Sequence, residues 1–343
     1  MKKINVLVTG IGGGSHGEQI IKSLKLINDL DLTIIGTDVT SLTTGKNLVD
    51  KFYLVPYVAD KKYEKIIFDI IKENNISFIF HGSEPELKFI SENREKFENA
   101  NVKHPLNSKE AISLCMNKYE TYKYLETKGV NLPKFKKIDK IEDINEIDFY
   151  PLVLKPSTGS GGSSDVYIAL DKEDCQLLVK YMLKHNVDIV AQHYIGTHED
   201  EYTIGVSSDI NGKVLGSIAI KRFITNALST YKKVRDQNNI YVISSGISQG
   251  KVCHNANLQK QAEHIAELID SKGPLNIQCR EVNGELMLFE INPRLSGTTS
   301  LRAIAGYNEP ELMIKHQILG EKWNHNYNNS TIMRTIEEVE ISE

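Results

Sequence analysis

The residue types best suited to chemistry are gathered in Asn276–Arg294, which reads NIQCREVNGELMLFEINPR. Alternating Ile277, Cys279 and Glu281, then Asn283-Gly284, then Leu286, Leu288, Phe289 and Ile291 spell a β-hairpin. The signal is Asn-Gly, because both central residues of a type I′ turn need positive φ. Glu290 and Asn292 are two apart and share a face, with Gln278 placed on the paired strand to meet them. Three oxygen donors converging from neighbouring strands suit Mg²⁺ (or Mn²⁺), which prefers hard oxygen ligands and keeps phosphates or waters in its other positions. Arg294 is read as one alternation further along that face, at the distance of a phosphate held by the metal. A solvated hairpin with scattered polar residues is the competing reading.

The elements around this hairpin follow a regular order. Ile4–Val8, Leu32–Gly36 and Ile76–Phe80 read as strands, and Glu18–Asn28 and Tyr63–Glu73 as helices. Strand–helix alternation of this kind predicts a parallel, doubly wound sheet. The first turn, Gly10–Gly17, contains a formal G-x-G-x-x-G from Gly12, and Asp38 follows the second strand at the offset of a ribose contact. Taken alone this turn predicts a dehydrogenase, but a single G-x-G-x-x-G is weak and the turn is unusually long and glycine-rich. Glu84, just beyond the Ile76–Phe80 strand, either receives a substrate amine or caps the helix that begins at Pro85. Two helices follow over residues 108–130, the second being Tyr119–Lys128 and ending at Gly129.

Pro151–Pro156 is a short buried-type strand ending in Lys155, and the glycine-rich run from Ser157 to Ser164 leads to a strand at Val166–Leu170. Glycines between two strands let backbone N–H groups close on phosphate oxygens without Cβ interference. The run is not a Walker loop, which needs G-K-[ST] leading into a helix; a flexible linker is the other reading. Ile189–Ile195 and Gly212–Ile220 are further strands, the latter leading into Lys221-Arg222 and a polar stretch, Phe223–Asp236, with Lys232, Lys233 and Arg235. That cationic stretch either faces an acidic substrate or is a solvated loop. Leu258–Asp270 reads as a helix with Ala262, Ile265, Ala266 and Ile269 on one face, helices follow near Thr299–Ala305 and Pro310–Leu319, and Ile332–Ile341 reads as a final edge strand.

With 343 residues, 40% of them apolar and 25% charged, the chain has ample core for two or three domains of ordinary soluble composition. A net charge of −4 gives no global pull toward nucleic acid or anionic membrane. No apolar run approaches the roughly 20 residues that span a bilayer. Met1-Lys2-Lys3 runs directly through a short apolar stretch into glycines, which is a first strand and not a signal peptide. Cys115, Cys175, Cys253 and Cys279 are far apart without C-x-x-C spacing, which predicts reduced thiols in a cytoplasmic protein. His185, His193 and His198 fall on different elements and do not make a metal cluster.

Glu290-Ile291-Asn292-Pro293-Arg294, preceded by Gln278 and followed by Ser296-Gly297 and Gly306-Tyr307-Asn308, resembles the ATP-grasp ligases. The likeness runs over about residues 4–320 and is strongest to one ATP-grasp unit of the carbamoyl-phosphate synthase large subunit. It implies that Gln278, Glu290 and Asn292 bind the metal ions on ATP, and that Arg294 contacts the transferred phosphate or an acyl-phosphate. It implies further that Lys118, next to Asn117 where the family usually has Asp, reaches the ATP phosphates. Lys155 would then contact the nucleotide, and Gly159, Ser160, Gly161, Gly162 and Ser163 would form the phosphate lid. Gln192 would take the adenine amino group, with the His193 carbonyl and the Ile195 N–H as backbone contacts. Glu201 matches the ribose-binding carboxylate, although adjacent Glu199 leaves its register open. Lys221 and Arg222 join Arg294 and Glu290 as candidate catalytic residues, and Gly13, Gly14, Ser15 and Glu84 are candidate substrate contacts.

The expected fold class is α/β, with α+β in the catalytic part. An N-terminal Rossmann-like domain is expected over 1–107 and an ATP-grasp domain over 108–320, split into a lid lobe of about 130–195 and a large lobe of about 196–320; residues 321–343 form a tail. The expected activity is an ATP-dependent carboxylate–amine or ammonia ligase that releases ADP and phosphate through an acyl-phosphate. Its partners would be small-molecule carboxylates and amines, with no nucleic acid and no membrane, and the assembly expected of the chain itself is a homodimer. Three alternatives stay open: a bicarbonate- or carbamate-activating subunit like carbamoyl-phosphate synthase, an NAD(P)-binding oxidoreductase, and a non-catalytic nucleotide-binding protein.

Overall fold

A computed structural model describes residues 3–159, 165–224, 228, 231–244, 248–335 and 337–341. The chain divides into two compact units: residues 1–109, 294–328 and 335–343 form the first, and residues 110–293 and 329–334 the second.

In the first unit β1 (Lys3–Thr9), α1 (His16–Leu24), β2 (Asp31–Asp38), β3 (Lys51–Leu54), α2 (Tyr63–Glu73), β4 (Phe78–Phe80), α3 (Glu84–Glu92) and α4 (Arg94–Asn99) follow one another. The four strands make a parallel sheet in the order β3-β2-β1-β4, with Val8 opposite both Gly36 and Phe80. Ile4, Val6 and Val8 of β1 are buried with Ile20, Ile21 and Leu24 of α1, so this helix covers one face of the parallel sheet. The α1 helix begins two residues earlier than its apolar pattern suggested, because Ser15 caps it by accepting from the Glu18 N–H, and it ends at Leu24, four residues short of Asn28. Ser83, not Glu84, caps α3; Glu84 is simply its first residue. Two short helices, α9 (Thr299–Ile304) and α10 (Glu309–Ile314), also belong to this unit. After Ile314 the helix continues without a gap as a wider π-helical segment over Lys315–Leu319, so the expected helix from Pro310 to Leu319 is present, α first and π after.

The second unit opens with α5 (Lys109–Cys115, whose first residue falls in the first unit) and α6 (Lys118–Thr127). β5 (Phe135–Ile138), β6 (Leu152–Pro156), β7 (Tyr167–Ala169), α7 (Lys172–Lys184) and β8 (Ile189–His193) follow. These four strands form an antiparallel sheet, β5-β8-β6-β7, with Val179 and Met182 of α7 buried against Leu152, Leu154 and Ala191. Next come β9 (Glu201–Ser208), β10 (Val214–Arg222), β11 (Tyr231–Arg235), β12 (Ile240–Ser244), β13 (Gly250–Cys253), α8 (Ala256–Leu268), β14 (Pro274–Val282), β15 (Glu285–Asn292) and β16 (Ser330–Ile332). They build a six-stranded sheet in the order β15-β14-β9-β10-β13-β16, with β11-β12 as a separate hairpin. Residues 231–244 are therefore two paired strands and not the open polar loop their lysines suggested. The edge strand near the C-terminus stops at Ile332, well short of Ile341. Ala262, Ile265 and Ala266 of α8 pack on Ile204, Val206 and Ile277 of this sheet. The mixed α/β architecture is the one the sequence predicts, with a parallel N-terminal sheet and antiparallel sheets after it. All four cysteines are free thiols, and only Cys253 is more than slightly exposed. Among the described residues no helix is long and apolar enough to cross a membrane.

Candidate nucleotide and metal site

The β14–β15 hairpin closes through Asn283 and Gly284 at φ 54° and 82°, the left-handed values a type I′ turn needs. Gln278 pairs directly with Glu290 in the ladder, and its Nε2 donates to Glu290 Oε2 at 3.0 Å. The other carboxylate oxygen lies 3.1 Å from Lys118 Nζ. Lys118 is the first residue of α6, where Asn117 caps the helix by accepting from the Glu120 N–H, so the Asn that replaces the family's Asp still fixes the start of the helix. Asn292 ends β15 and is buried.

Lys155 sits at the end of β6 and is buried. Its Nζ donates to Gln192 Oε1 and to the Phe289 carbonyl, both at 2.8 Å, and stands 5.3 Å from the centre of the Tyr122 ring. Burial, reinforced by the charge of Lys118, lowers its pKa to about 7, with Glu290 pulling the other way. Tyr122 also donates to the Phe289 carbonyl. The Gln192 amide is engaged at both ends, since its Nε2 donates to the Leu288 carbonyl at 3.0 Å. Its side chain thus holds Lys155 against β15. Lys118, Lys155, Gln192, His193, Ile195, Glu201, Gln278 and Glu290 all line one pocket of the second unit. The structure brings together eight of the sequence-derived candidates there.

Glu201, the expected ribose contact, opens β9 and is buried between two guanidinium groups: Arg222 Nη1 at 2.6 Å and Arg280 Nη2 at 3.4 Å. Arg222 is thereby committed to a buried ion pair, and Lys221 lies 3.3 Å from Asp200. Arg280 was missed in the sequence, although it lies two residues beyond Gln278 on the same strand, at the spacing used to relate Glu290 and Asn292. It stacks 3.9 Å from the Tyr194 ring centre and donates to the Ile195 and Val242 carbonyls. Tyr194 joins Val242 twice more, accepting from its N–H at 2.9 Å and donating to its carbonyl at 3.1 Å. These bonds fix the β11–β12 hairpin beside the pocket, with Ile243 among the lining residues. Lys232 donates to the Val166 carbonyl at 2.7 Å and lies over Tyr167, so this lysine is tied to the β7 region.

Ser160, Gly161, Gly162 and Ser163 of the expected lid lie outside the described residues, and Gly159 just precedes them at φ 70°. Strand β15 stops at Asn292, so the alternation does not extend to Arg294. That residue belongs to the first unit, buried and within electrostatic reach of His16 and His81. Gly13, Gly14 and Ser15 form the turn before α1 in that unit, the Gly14 N–H donating to the Glu18 carboxylate.

Gln278, Glu290 and Asn292 fit a divalent cation by chemistry. They offer oxygen donors with a single carboxylate, too little charge to neutralise such an ion unaided and enough for one that arrives on phosphates. The carboxylate is already aligned by a lysine and an amide. Among the described residues no group of three or more His, Cys, Asp or Glu side chains gathers as a metal cluster.

Comparison with known proteins gives two family matches: residues 185–340 match a model described as ATP-grasp in the biosynthetic pathway with Ter operon, and residues 6–104 match the PylC-like N-terminal domain. These matches, with the relatives that follow, support an ATP-grasp ligase. It is 26% identical to the D-alanine–D-alanine ligase A of Bacillus cereus over 193 residues, covering 53% of this chain and 60% of that one. It is 24% identical to a carbamoyl phosphate synthase large chain of Clostridium botulinum over 290 residues, 81% of this chain and 25% of that one. In fold it resembles the crystal structure of an L-amino acid ligase from Bacillus licheniformis, with a TM-score of 0.63 and 17% identity over 95% of this chain and 76% of the other. The chain thus spans 60% of the length of the first ligase and a quarter of the synthase chain.

Proposed function

We propose that this ATP-grasp protein is an ATP-dependent carboxylate–amine ligase that works through an acyl-phosphate and releases ADP and phosphate. The observation that carries the reading is the Lys118–Glu290–Gln278 and Lys155–Gln192 cluster within one pocket. Two lysines and a carboxylate poised at the end of a strand suit a polyphosphate with a divalent cation. A buried lysine whose pKa is lowered to about 7 gains charge and a partner from such a ligand.

A carboxylate resists attack by amines because its oxygen is a poor leaving group. In the first step a carboxylate oxygen of the substrate attacks the γ-phosphorus of ATP, the bond to the β–γ bridging oxygen breaks, and ADP departs. In the second step the amine adds to the carbonyl carbon of the mixed anhydride, phosphate leaves, and the nitrogen loses a proton. Phosphoryl transfer is mostly positioning and charge neutralisation. Lys118 and Lys155 neutralise phosphate charge, the latter held by Gln192 and the Phe289 carbonyl. The base is read by the His193 carbonyl and Ile195 N–H, since both ends of the Gln192 amide are occupied. Gln278, Glu290 and Asn292 would hold Mg²⁺ or Mn²⁺, which when bound would offset phosphate charge.

Glu201 contributes to the ribose side of the pocket as the middle of the Arg222–Glu201–Arg280 network. Lys221 and Arg222 act by holding this wall and not at the reacting atoms. A bicarbonate-activating reading is favoured by the match to carbamoyl phosphate synthase and by Gln278 facing Glu290. An ADP-release screen of carboxylates crossed with amines, bicarbonate and ammonia included, tests both. Amine- and carboxylate-dependent ADP supports the ligase; ADP formed only with bicarbonate supports the alternative; ATP-independent NAD reduction contradicts both.

A further inference from the structure

The glycine turn of the first unit is lined by two buried carboxyl groups, those of Glu86 and Asp38. Gly10 has φ 58°, and a Cβ there would lie 2.6 Å from Glu86 Oε2 and 3.3 Å from the Gly82 carbonyl carbon. A Cβ on Gly12 would lie 3.3 Å from Asp38 Oδ2. Two carboxyl groups thus press on consecutive parts of one turn, at the carboxyl ends of β1, β2 and β4, where ligands of open parallel sheets gather. Both are buried, Glu86 5% exposed and Asp38 7%. Glu86 accepts from Ser83 Oγ at 2.9 Å and from the Tyr63 hydroxyl at 3.4 Å, and Asp38 from the Thr40 N–H at 3.3 Å. No lysine or arginine among the described residues forms an ion pair with either.

An independent group points the same way. His81 directly follows β4 and is 5% exposed, yet its Nδ1 has no hydrogen-bond partner. Its neighbour Gly82 is locked onto this turn, since a Cβ there would lie 2.2 Å from the Thr9 carbonyl and 2.3 Å from that of Gly10. Burial and Arg294 keep the ring neutral, with a pKa of about 3, while the ring bonds to the Ser83 backbone. A neutral imidazole that donates through one nitrogen offers the other as an acceptor.

We propose that Glu86, Asp38 and His81 Nδ1 form the binding site for the primary ammonium group of an amino acid substrate. Three buried acceptors match an ammonium with its three donors, and although burial raises the Glu86 carboxyl pKa to about 7, an ammonium beside it would hold it ionised. A bare amine would be repelled by the Arg294 guanidinium beside His16 and His81; a zwitterion with its carboxylate toward Arg294 satisfies both sides. The site deepens the ligase reading and rests on it for the reaction, but its ligand binding is measurable without turnover.

The test has a binding arm and a turnover arm, using the full chain and a panel of the common L-amino acids with D-alanine. Calorimetry without ATP should detect binding of at least one of them, and its 2-hydroxy acid counterpart should bind at least 10-fold more weakly. Glu86→Gln should weaken that amino acid's binding at least 10-fold and leave nucleotide affinity within about two-fold, with Glu86→Asp recovering part of the loss. In turnover the same variant should raise KM for the amino acid and not for ATP. Amino acid binding by Glu86→Gln equal to that of the native chain, equal binding of the hydroxy acid to the native chain, or no binding of any panel member would overturn the site. The hydroxy acid comparison needs no variant and so stands even if Glu86→Gln misfolds. Amino acid binding with no ADP from any carboxylate–amine pair would overturn the ligase reading and leave this site standing.

Discussion

Replacing Lys155 with Met should stabilise the free protein while weakening nucleotide binding. Lowering a lysine from 10.5 to about 7 by burial penalises the folded state by roughly 5 kcal/mol where both folded and unfolded chains hold the proton, at about 1.4 kcal/mol per pKa unit. Below pH 7 that penalty is complete. Between pH 7 and about 10.5 only the unfolded chain is protonated, so this group makes stability climb with pH. At pH 8 roughly 3 kcal/mol of the penalty remains. Methionine has a similar length and no charge, but it abandons the bonds to Gln192 Oε1 and the Phe289 carbonyl, worth about 1 kcal/mol each. Tyr122, which already donates to the Phe289 carbonyl, covers part of that loss. Denaturant unfolding at pH 8 should therefore show Lys155→Met more stable than the native chain by about 1–2 kcal/mol, with the difference shrinking toward pH 10. Calorimetric affinity for Mg-ATP should fall at least 10-fold, and native binding at pH 8 should take up protons from the buffer as phosphate charge recharges the lysine. A variant destabilised by more than 1 kcal/mol, or native binding without proton uptake, would refute the reasoning.

Glu290→Gln should lower ADP formation by about 10²–10³, the usual loss on removing one preorganised electrostatic group, while thermal melting of the free protein changes little. Near-normal turnover in that variant would remove the metal assignment. Glu201→Gln leaves Arg222 and Arg280 with less charge to face in a buried site and should cost about 3–5 kcal/mol in denaturant unfolding; a loss under 1 kcal/mol would mean the network is open to solvent. Gly82→Ala places a methyl group 2.2 Å from the Thr9 carbonyl and should destabilise the protein, whereas Gly12→Ala, 3.3 Å from its nearest neighbour, should leave nucleotide affinity unchanged; melting curves and ATP titrations of the pair decide.

The sequence is most legible where chemistry and local geometry coincide. Asn283-Gly284 names its own turn, alternation puts Gln278 opposite Glu290, and alternating strand and helix patterns announce the parallel sheet. It is least legible where tertiary contacts decide. The charges of Lys232, Lys233 and Arg235 suggest an open loop, yet Tyr194 and Arg280 bind Val242 and hold these residues in a hairpin. Gln192 reads as a base contact until both ends of its amide are seen to be taken. Glu86 attracts no notice beside Glu84, because its lack of a cationic partner is a property of the folded unit. Arg294 follows a strand pattern that stops two residues before it.

The central claim, activation of a carboxylate through an acyl-phosphate, is tested most directly by isotope transfer. With the active substrate pair from the ADP screen, the carboxylate labelled with ¹⁸O and the reaction run in unlabelled water, one ¹⁸O atom should appear in each phosphate released, alongside ADP. Unlabelled phosphate, or AMP with pyrophosphate as products, would contradict it.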